Sequence, residues 1–330
     1  MAIGNFGKAT ILTGAGWSRN WGGRLARELW EDLIGHREVQ ANQRLRQLLL
    51  SEPAFESAYA TAQEEPFTAA DRAALQRALM DAFVAMDGSI YSAIPDHRIN
   101  GRGAEDLLFR FCQRQSSDRS RAGYLFTLNQ DLWPERYLIN CIANRAPHPV
   151  LPGLRSQTES WMFRGNLGPY AAKFELTPFE DLAERWPLKG FYNVVKLHGS
   201  MNWRTADGRD AMVIGTGKSG QIQQSPLLSW YWEIFEQVLS AGGVRLLIAG
   251  YGFQDEHVNA AIAHAAQHHG LRVFIWNTDS NLMRTVQSAP HGAAIWQALI
   301  STCTRPLIDV FPGNQETTVD LNRIQSRLFE

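Results

Sequence analysis

The sequence predicts an α/β fold: a Rossmann-like, doubly wound parallel sheet with a helical insertion. Three observations carry this prediction. Short, almost continuous apolar runs recur along the chain, as strands covered on both faces require. Amphipathic helical stretches alternate with them. Polar or glycine-bearing motifs stand at the ends of these runs, where open α/β sheets bind their ligands.

Ala9–Thr13 reads as the first strand, and Thr13-Gly14-Ala15-Gly16-Trp17-Ser18 follows it directly. Leu25, Leu29 and Leu33 recur every four residues and give the next helix its apolar stripe. From about residue 35 to 103 the periodicity stays helical, with Leu75, Leu79, Phe83 and Met86 on one stripe. That length exceeds a simple crossover. The expected organisation is therefore one nucleotide-binding domain, residues 1–34 and 104–330, with a helical insertion at 35–103 that ends in the Gly101-Arg102-Gly103 loop.

Leu107, Leu108 and Phe111 mark another helix. Tyr124–Leu128 is the second strand and leads into Asn129-Gln130-Asp131. Pro147, Pro149 and Pro152 then interrupt the pattern, and the stretch to Gly190 is a long connection, a candidate lid or interface. Asn193–Leu197 is the third strand, followed by His198-Gly199-Ser200. Val244–Ala249 is the fourth, followed by Gly250-Tyr251-Gly252-Phe253-Gln254-Asp255-Glu256-His257. Val258, Ile262 and Ala265 form the helix after it, Leu271–Trp276 the fifth strand with Asn277 at its end, and a last strand is expected near Leu307–Phe311.

Composition bounds the partners. The chain has 330 residues, and 32 Lys plus Arg against 33 Asp plus Glu leave a formal charge of −1. That balance gives no bulk attraction to nucleic acid or to an anionic membrane. No signal-peptide pattern opens the chain, and no apolar run reaches the roughly 20 residues of a spanning helix, so a soluble, cytoplasmic protein is expected. The three cysteines, Cys112, Cys141 and Cys303, are far apart and cannot make a four-cysteine zinc site. Eleven tryptophans suggest apolar surface committed to contacts, and hence a homo-oligomer, although much of it can be core.

The motifs suggest a dinucleotide pocket. Gly14-Ala15-Gly16 can make a tight turn that brings backbone close to a pyrophosphate, with a helix N-terminus behind it. The third glycine of the dehydrogenase fingerprint is missing, since position 19 is Arg19. Ser18 suits a phosphate or ribose contact or a helix cap. Asn129 offers both a donor and an acceptor, for a ribose hydroxyl or a water. Asp131 suits a helix cap. His198, with Gly199 leaving room beside it, can act as a base or bind a hydroxyl. Gly250 and Gly252 again permit close backbone approach. Asp255 and His257 resemble sparse metal ligands, but two residues at a helix opening make no site, and no metal is expected.

Taken together, Gly14-Ala15-Gly16 with Ser18, Thr127 with Asn129 and Asp131, His198-Gly199 and the Gly250 loop resemble the sirtuin family of NAD-consuming proteins. The resemblance implies Asn129 and His198 as the catalytic pair. It also implies an NAD site formed by Gly14, Ala15, Gly16, Ser18, Thr127, Asp131, Gly250, Gly252 and, at the adenosine end, Asn277. The zinc module of sirtuin deacylases is missing, and Trp21-Gly22-Gly23-Arg24-Leu25 replaces their Ile-Pro-x-Phe-Arg segment. In this the chain is similar to the bacterial sirtuin-like domains of anti-phage systems. That resemblance implies an NAD glycohydrolase that needs no metal, working with a HerA-type ATPase or a short Argonaute. A deacylase, an ADP-ribosyltransferase or a non-catalytic NAD or ADP-ribose sensor would use the same pocket.

Overall fold

A computed structural model describes residues 3, 6–52, 54–93, 104, 107–108, 110–111, 122–139, 149–156, 176–178, 188–190, 192–205, 208–312 and 318–329. Its centre is a seven-stranded parallel sheet flanked by helices, the α/β Rossmann-like architecture expected. The strands are β1 (Ala9–Thr13), β2 (Gly123–Thr127), β3 (Pro149–Val150), β6 (Tyr192–Lys196), β9 (Arg245–Ala249), β10 (Arg272–Trp276) and β11 (Leu299–Cys303). Their order across the sheet is β11-β10-β9-β1-β2-β6-β3. The chain builds outward from β1 in one direction, then returns to β9 on the other side of β1, so the switch point lies at β1.

Every residue of β1, β2 and β6 is buried. This is why the sequence shows continuous apolar runs there rather than alternation. β11 differs, because its first four residues are only half-buried at the sheet edge. The last strand is therefore Leu299–Cys303, and not Leu307–Phe311 as expected. Leu307–Val310 is a short helix with Pro306 just ahead of it. An edge strand with one open face carries Ser301 and Thr302, and so lacks the apolar run that marks its neighbours.

The segment after β1 also departs from expectation. The glycine motif opens only a single turn, α1 (Ala15–Ser18), then a 3-10 turn at Arg19–Trp21. Gly22, with φ +88°, ends that turn, and the helix that buries Leu29 and Leu33 begins later, as α2 (Ala26–Gly35). The insertion is helical throughout its described length: α3 (Arg37–Ala41), α4 (Gln43–Ser51), α5 (Phe55–Thr61) and α6 (Ala69–Ala93). Leu45, Leu49, Ala58, Leu75, Leu79 and Phe83 are buried in the same continuous core as the sheet. The Gly101-Arg102-Gly103 loop lies outside the described residues.

A second, mixed four-stranded sheet, β4 (Leu154–Ser156), β5 (Leu176–Pro178), β7 (Gly199–Arg204) and β8 (Asp210–Met212), occupies part of the long connection and the chain after His198. Its short strands gave no sequence signal. Most of residues 157–187 lie outside the described set. Six of the tryptophans, Trp17, Trp21, Trp133, Trp203, Trp230 and Trp276, are buried in the core, so they give no support to an oligomer interface.

Candidate functional site

Register brings the motifs together. Thr13 pairs with Thr127 and Ala249, Thr127 with Lys196, and Ala249 with Trp276. These five residues form one row across the sheet. Whatever follows each of them therefore emerges at the same carboxyl edge: Gly14, Leu128-Asn129, Leu197-His198, Gly250 and Asn277. A cavity of about 980 Å³ opens there. That lies at the upper end of the roughly 300–1,000 Å³ common for ligand pockets.

Gly14, Ala15, Gly16, Asn129, Asp131, His198, Gly250, Gly252 and Asn277 all line this cavity. Ser18 and Thr127 stand behind its wall. Ser18 is fully buried. Thr127 accepts the Asn129 N–H on its hydroxyl at 3.1 Å. Sequence reasoning could not separate wall from support, because both positions belong to the same motifs.

The glycines also serve the fold itself. A methyl group on Gly14 would sit 2.7 Å from the Gly250 carbonyl oxygen, and one on Gly250 would sit 2.2 Å from Trp17 N. The Gly14–Gly16 and Gly250 loops pack against each other backbone to backbone. Their amides are spent there too: Gly14 N–H donates to Ala249 O, Gly16 N–H to Gly250 O and Trp17 N–H to Gly14 O. These bonds occupy the Gly14, Gly16 and Trp17 amides within the protein itself, while Ala15 of the same turn lines the cavity. Gly252 faces open space, with only Gln254 Cγ near a would-be methyl, at 3.9 Å. Gly199 likewise makes room for the chain itself: at φ +73° its missing side chain would meet Ala211 O at 2.0 Å, on β8.

Asn129 is held rigidly. Its Nδ2 donates to Gly14 O and to Ser18 Oγ, each at 3.1 Å. A carbonyl can only accept, so this fixes which end of the amide is nitrogen. Ser18 Oγ in turn donates to Asp131 Oδ2 at 2.6 Å, and Asp131 Oδ1 accepts from Trp133 N–H at 3.0 Å. Among the described residues no donor engages Asn129 Oδ1, and that oxygen is not sealed from the cavity. Asn129 therefore presents an acceptor. Burial pushes the Asp131 carboxyl above its ordinary range, against the pull of Lys196 and the Ser18 hydroxyl. Lys196, fully buried, donates to Asp131 O, Glu135 and Ser200 Oγ.

His198 is 2% exposed. Burial pushes its pKa down to about 3, so the ring is neutral near pH 7. Its Nε2 lies 3.1 Å from His257 Nε2. Beside this pair Lys218 Nζ bridges Asp255 at 2.6 Å and Glu56 at 2.8 Å, tying the insertion to the site. Burial works against ionised Asp255, but the charge and hydrogen bond of Lys218 help to hold the carboxyl below its usual range. Lys218 and Glu56 were invisible in the sequence because nothing local links residues so far apart.

Two arginines that the sequence reading missed also line the cavity, Arg19 and Arg24. Arg19 holds Glu28 at 2.8 Å and Arg24 holds Asp32 at 3.2 Å. At the far end Asn277 Nδ2 donates to Tyr251 O, and its Oδ1 accepts from Asp279 N–H. Among the described residues no group of three or more His, Cys, Asp or Glu is arranged to hold a metal. Cys112 and Cys141 lie outside the described residues, and Cys303 is buried. No described helix is long and apolar enough to cross a membrane.

A parallel sheet with a wide cavity at its switch point defines an α/β protein of the Rossmann-like class, with its pocket where such sheets take ligands. More particularly, the SIR2-like domain family model matches residues 160–291, which supports a Sir2-type domain there. The match takes in His198, the Gly250 loop and Asn277, while Gly14–Ser18 and Asn129 precede it. No curated protein matches the chain. The Sir2-type domain makes NAD its expected ligand.

Proposed function

We propose that the protein hydrolyses NAD to nicotinamide and ADP-ribose. One observation carries this reading: an oriented amide oxygen, Asn129 Oδ1, and a neutral imidazole, His198, line the same cavity as Asn277. His198 follows β6 and Asn277 follows β10, four strand spacings apart. At about 4.8 Å each this spans about 19 Å, suited to an extended dinucleotide. Arg19 and Arg24 are the cations a pyrophosphate would meet.

When bound, NAD supplies a cationic nicotinamide that leaves as a neutral base, so the protein need provide no acid for it. Asn129 Oδ1 accepts a hydrogen bond from the attacking water and holds it against the sugar. His198, neutral and too weakly basic to hold a proton near pH 7, binds a ribose hydroxyl.

The wider setting belongs to the same reading: an NAD-depleting effector of bacterial anti-phage defence, cytoplasmic, homo-oligomeric, and paired with a HerA-type ATPase or a short Argonaute. The motif resemblance alone supports it. Chromatography of NAD incubated with the protein, alone and with such a partner, tests the reaction. Equal nicotinamide and ADP-ribose are expected. O-acyl-ADP-ribose or labelled protein would replace the reading with acyl or ADP-ribosyl transfer, and bound but intact NAD would leave a sensor.

A further inference from the structure

In the sequence His257 is one of several polar residues opening a helix, yet in the fold it makes a direct contact with His198. It is the second residue of the Glu256–His269 helix, on the loop that follows β9, whereas His198 follows β6. The two Nε2 atoms lie 3.1 Å apart with ring centroids at 5.3 Å. A hydrogen bond between two imidazole nitrogens carries a single proton, so one ring must donate and the other accept. The tautomers of the two rings are therefore coupled. His257 is itself held: the Trp232 ring lies 5.1 Å from it, centroid to centroid. Asp255, which immediately precedes the same helix, is fixed by Lys218 and through it by Glu56 of α5.

We propose that His257 is a positioning residue for His198, fixing its ring plane through the Nε2–Nε2 hydrogen bond. The inference rests on the NAD hydrolase reading only for its kinetic consequence; the coupling itself is a property of the free protein. The groups facing the pair are the carboxylates Asp255 and Glu256 and the ammonium of Lys218. The carboxylates favour a proton on the rings and Lys218 opposes it, while burial keeps both rings toward the neutral form. The Leu128 backbone also hydrogen-bonds the His198 ring, so the enclosed imidazole is held from two sides and presents a defined edge to the cavity.

Glutamine at 257 can place an amide where the imidazole Nε2 stood, and it can either donate or accept. Phenylalanine fills the space and does neither. The test compares His257→Gln and His257→Phe in two measurements. In the protein without ligand, nitrogen-15 spectra of the histidine rings are expected to show a nitrogen–nitrogen coupling across the hydrogen bond between His198 and His257. The hydrogen-bonded shift of His198 Nε2 should persist in H257Q and be lost in H257F. With NAD, H257F should lose on the order of 10²-fold in kcat, with KM little changed, and H257Q should recover most of it. Absence of the coupling in the unaltered protein would overturn the proposal even if NAD is never turned over. So would H257F with full kcat, or H257Q as impaired as H257F. Where H257F fails to fold, the spectra of the unaltered protein and H257Q decide alone.

Discussion

Asn129 shows how one side chain acquires a purpose from its hydrogen bonds. Both amide hydrogens are consumed by Gly14 O and Ser18 Oγ, so the oxygen alone meets the cavity. Asn129→Ala removes the group that holds water, and NAD turnover should fall about 10²–10⁴-fold. Asn129→Asp should do no better, because a carboxylate oxygen would face Gly14 O with no hydrogen to donate. Initial rates on folded protein check both. His198 makes a separate forecast about pH. Above about pH 6.5 the ring is neutral in the folded and the unfolded chain. Between there and about pH 3 the unfolded chain takes up a proton that the folded one refuses, so stability falls as the pH falls. Urea unfolding at pH 7.5, 6 and 5 should show a shallower loss for His198→Gln than for the unaltered protein. Equal slopes would mean that His198 is protonated in the fold.

Between elements, the decisive contact is that of the Gly14–Gly16 loop with the Gly250 loop. Gly250→Ala would drive a methyl into Trp17 N at 2.2 Å, with φ already at +66°. Overpacking of this kind costs about 1–3 kcal/mol. It should lower the melting temperature and NAD affinity together, because it parts two walls of one cavity. Gly252→Ala adds the same methyl in open space, 3.9 Å from its nearest neighbour. It should leave the melting temperature unchanged, so calorimetry with NAD on the two variants separates fold from site. A Gly250→Ala variant of normal stability would show that the loops do not meet so closely.

For the molecule as a whole, a buried ion pair joins the helical insertion to the sheet. Asp87 on α6 and Arg136 in the segment after Asn129 meet at 2.5 Å with both side chains 1% exposed. Removing one partner of such a pair leaves an uncompensated buried charge and costs about 3–5 kcal/mol. Asp87→Leu should therefore unfold at markedly lower urea, and Asp87→Leu with Arg136→Met should recover part of that loss. Denaturation midpoints read this directly; additive losses in the double variant would deny the coupling. The Glu56–Lys218–Asp255 bridge is a second tie between insertion and site. The described part of the insertion, up to residue 93, thus shares the core and the cavity wall.

The sequence by itself determined the parallel sheet and the motifs at its carboxyl edge. Strands buried on both faces must be apolar throughout, and residues that end such strands must emerge together once the register is set. It therefore disclosed Asn129, His198, Gly250 and Asn277 as neighbours. It could not disclose β11, whose half-exposed face breaks the apolar run, nor the small sheet, in which three strands have three residues each and Gly199–Arg204 carries Ser200 and Asn202 in place of an apolar run. Only the tertiary structure decided what the glycines are for, because Gly14 and Gly250 are 236 positions apart and their need for each other is a contact, not a pattern. The same holds for His257 and Lys218. A charge or an imidazole on a helix turn is ordinary in sequence, and it gains meaning only when folding buries it against a partner from another strand end.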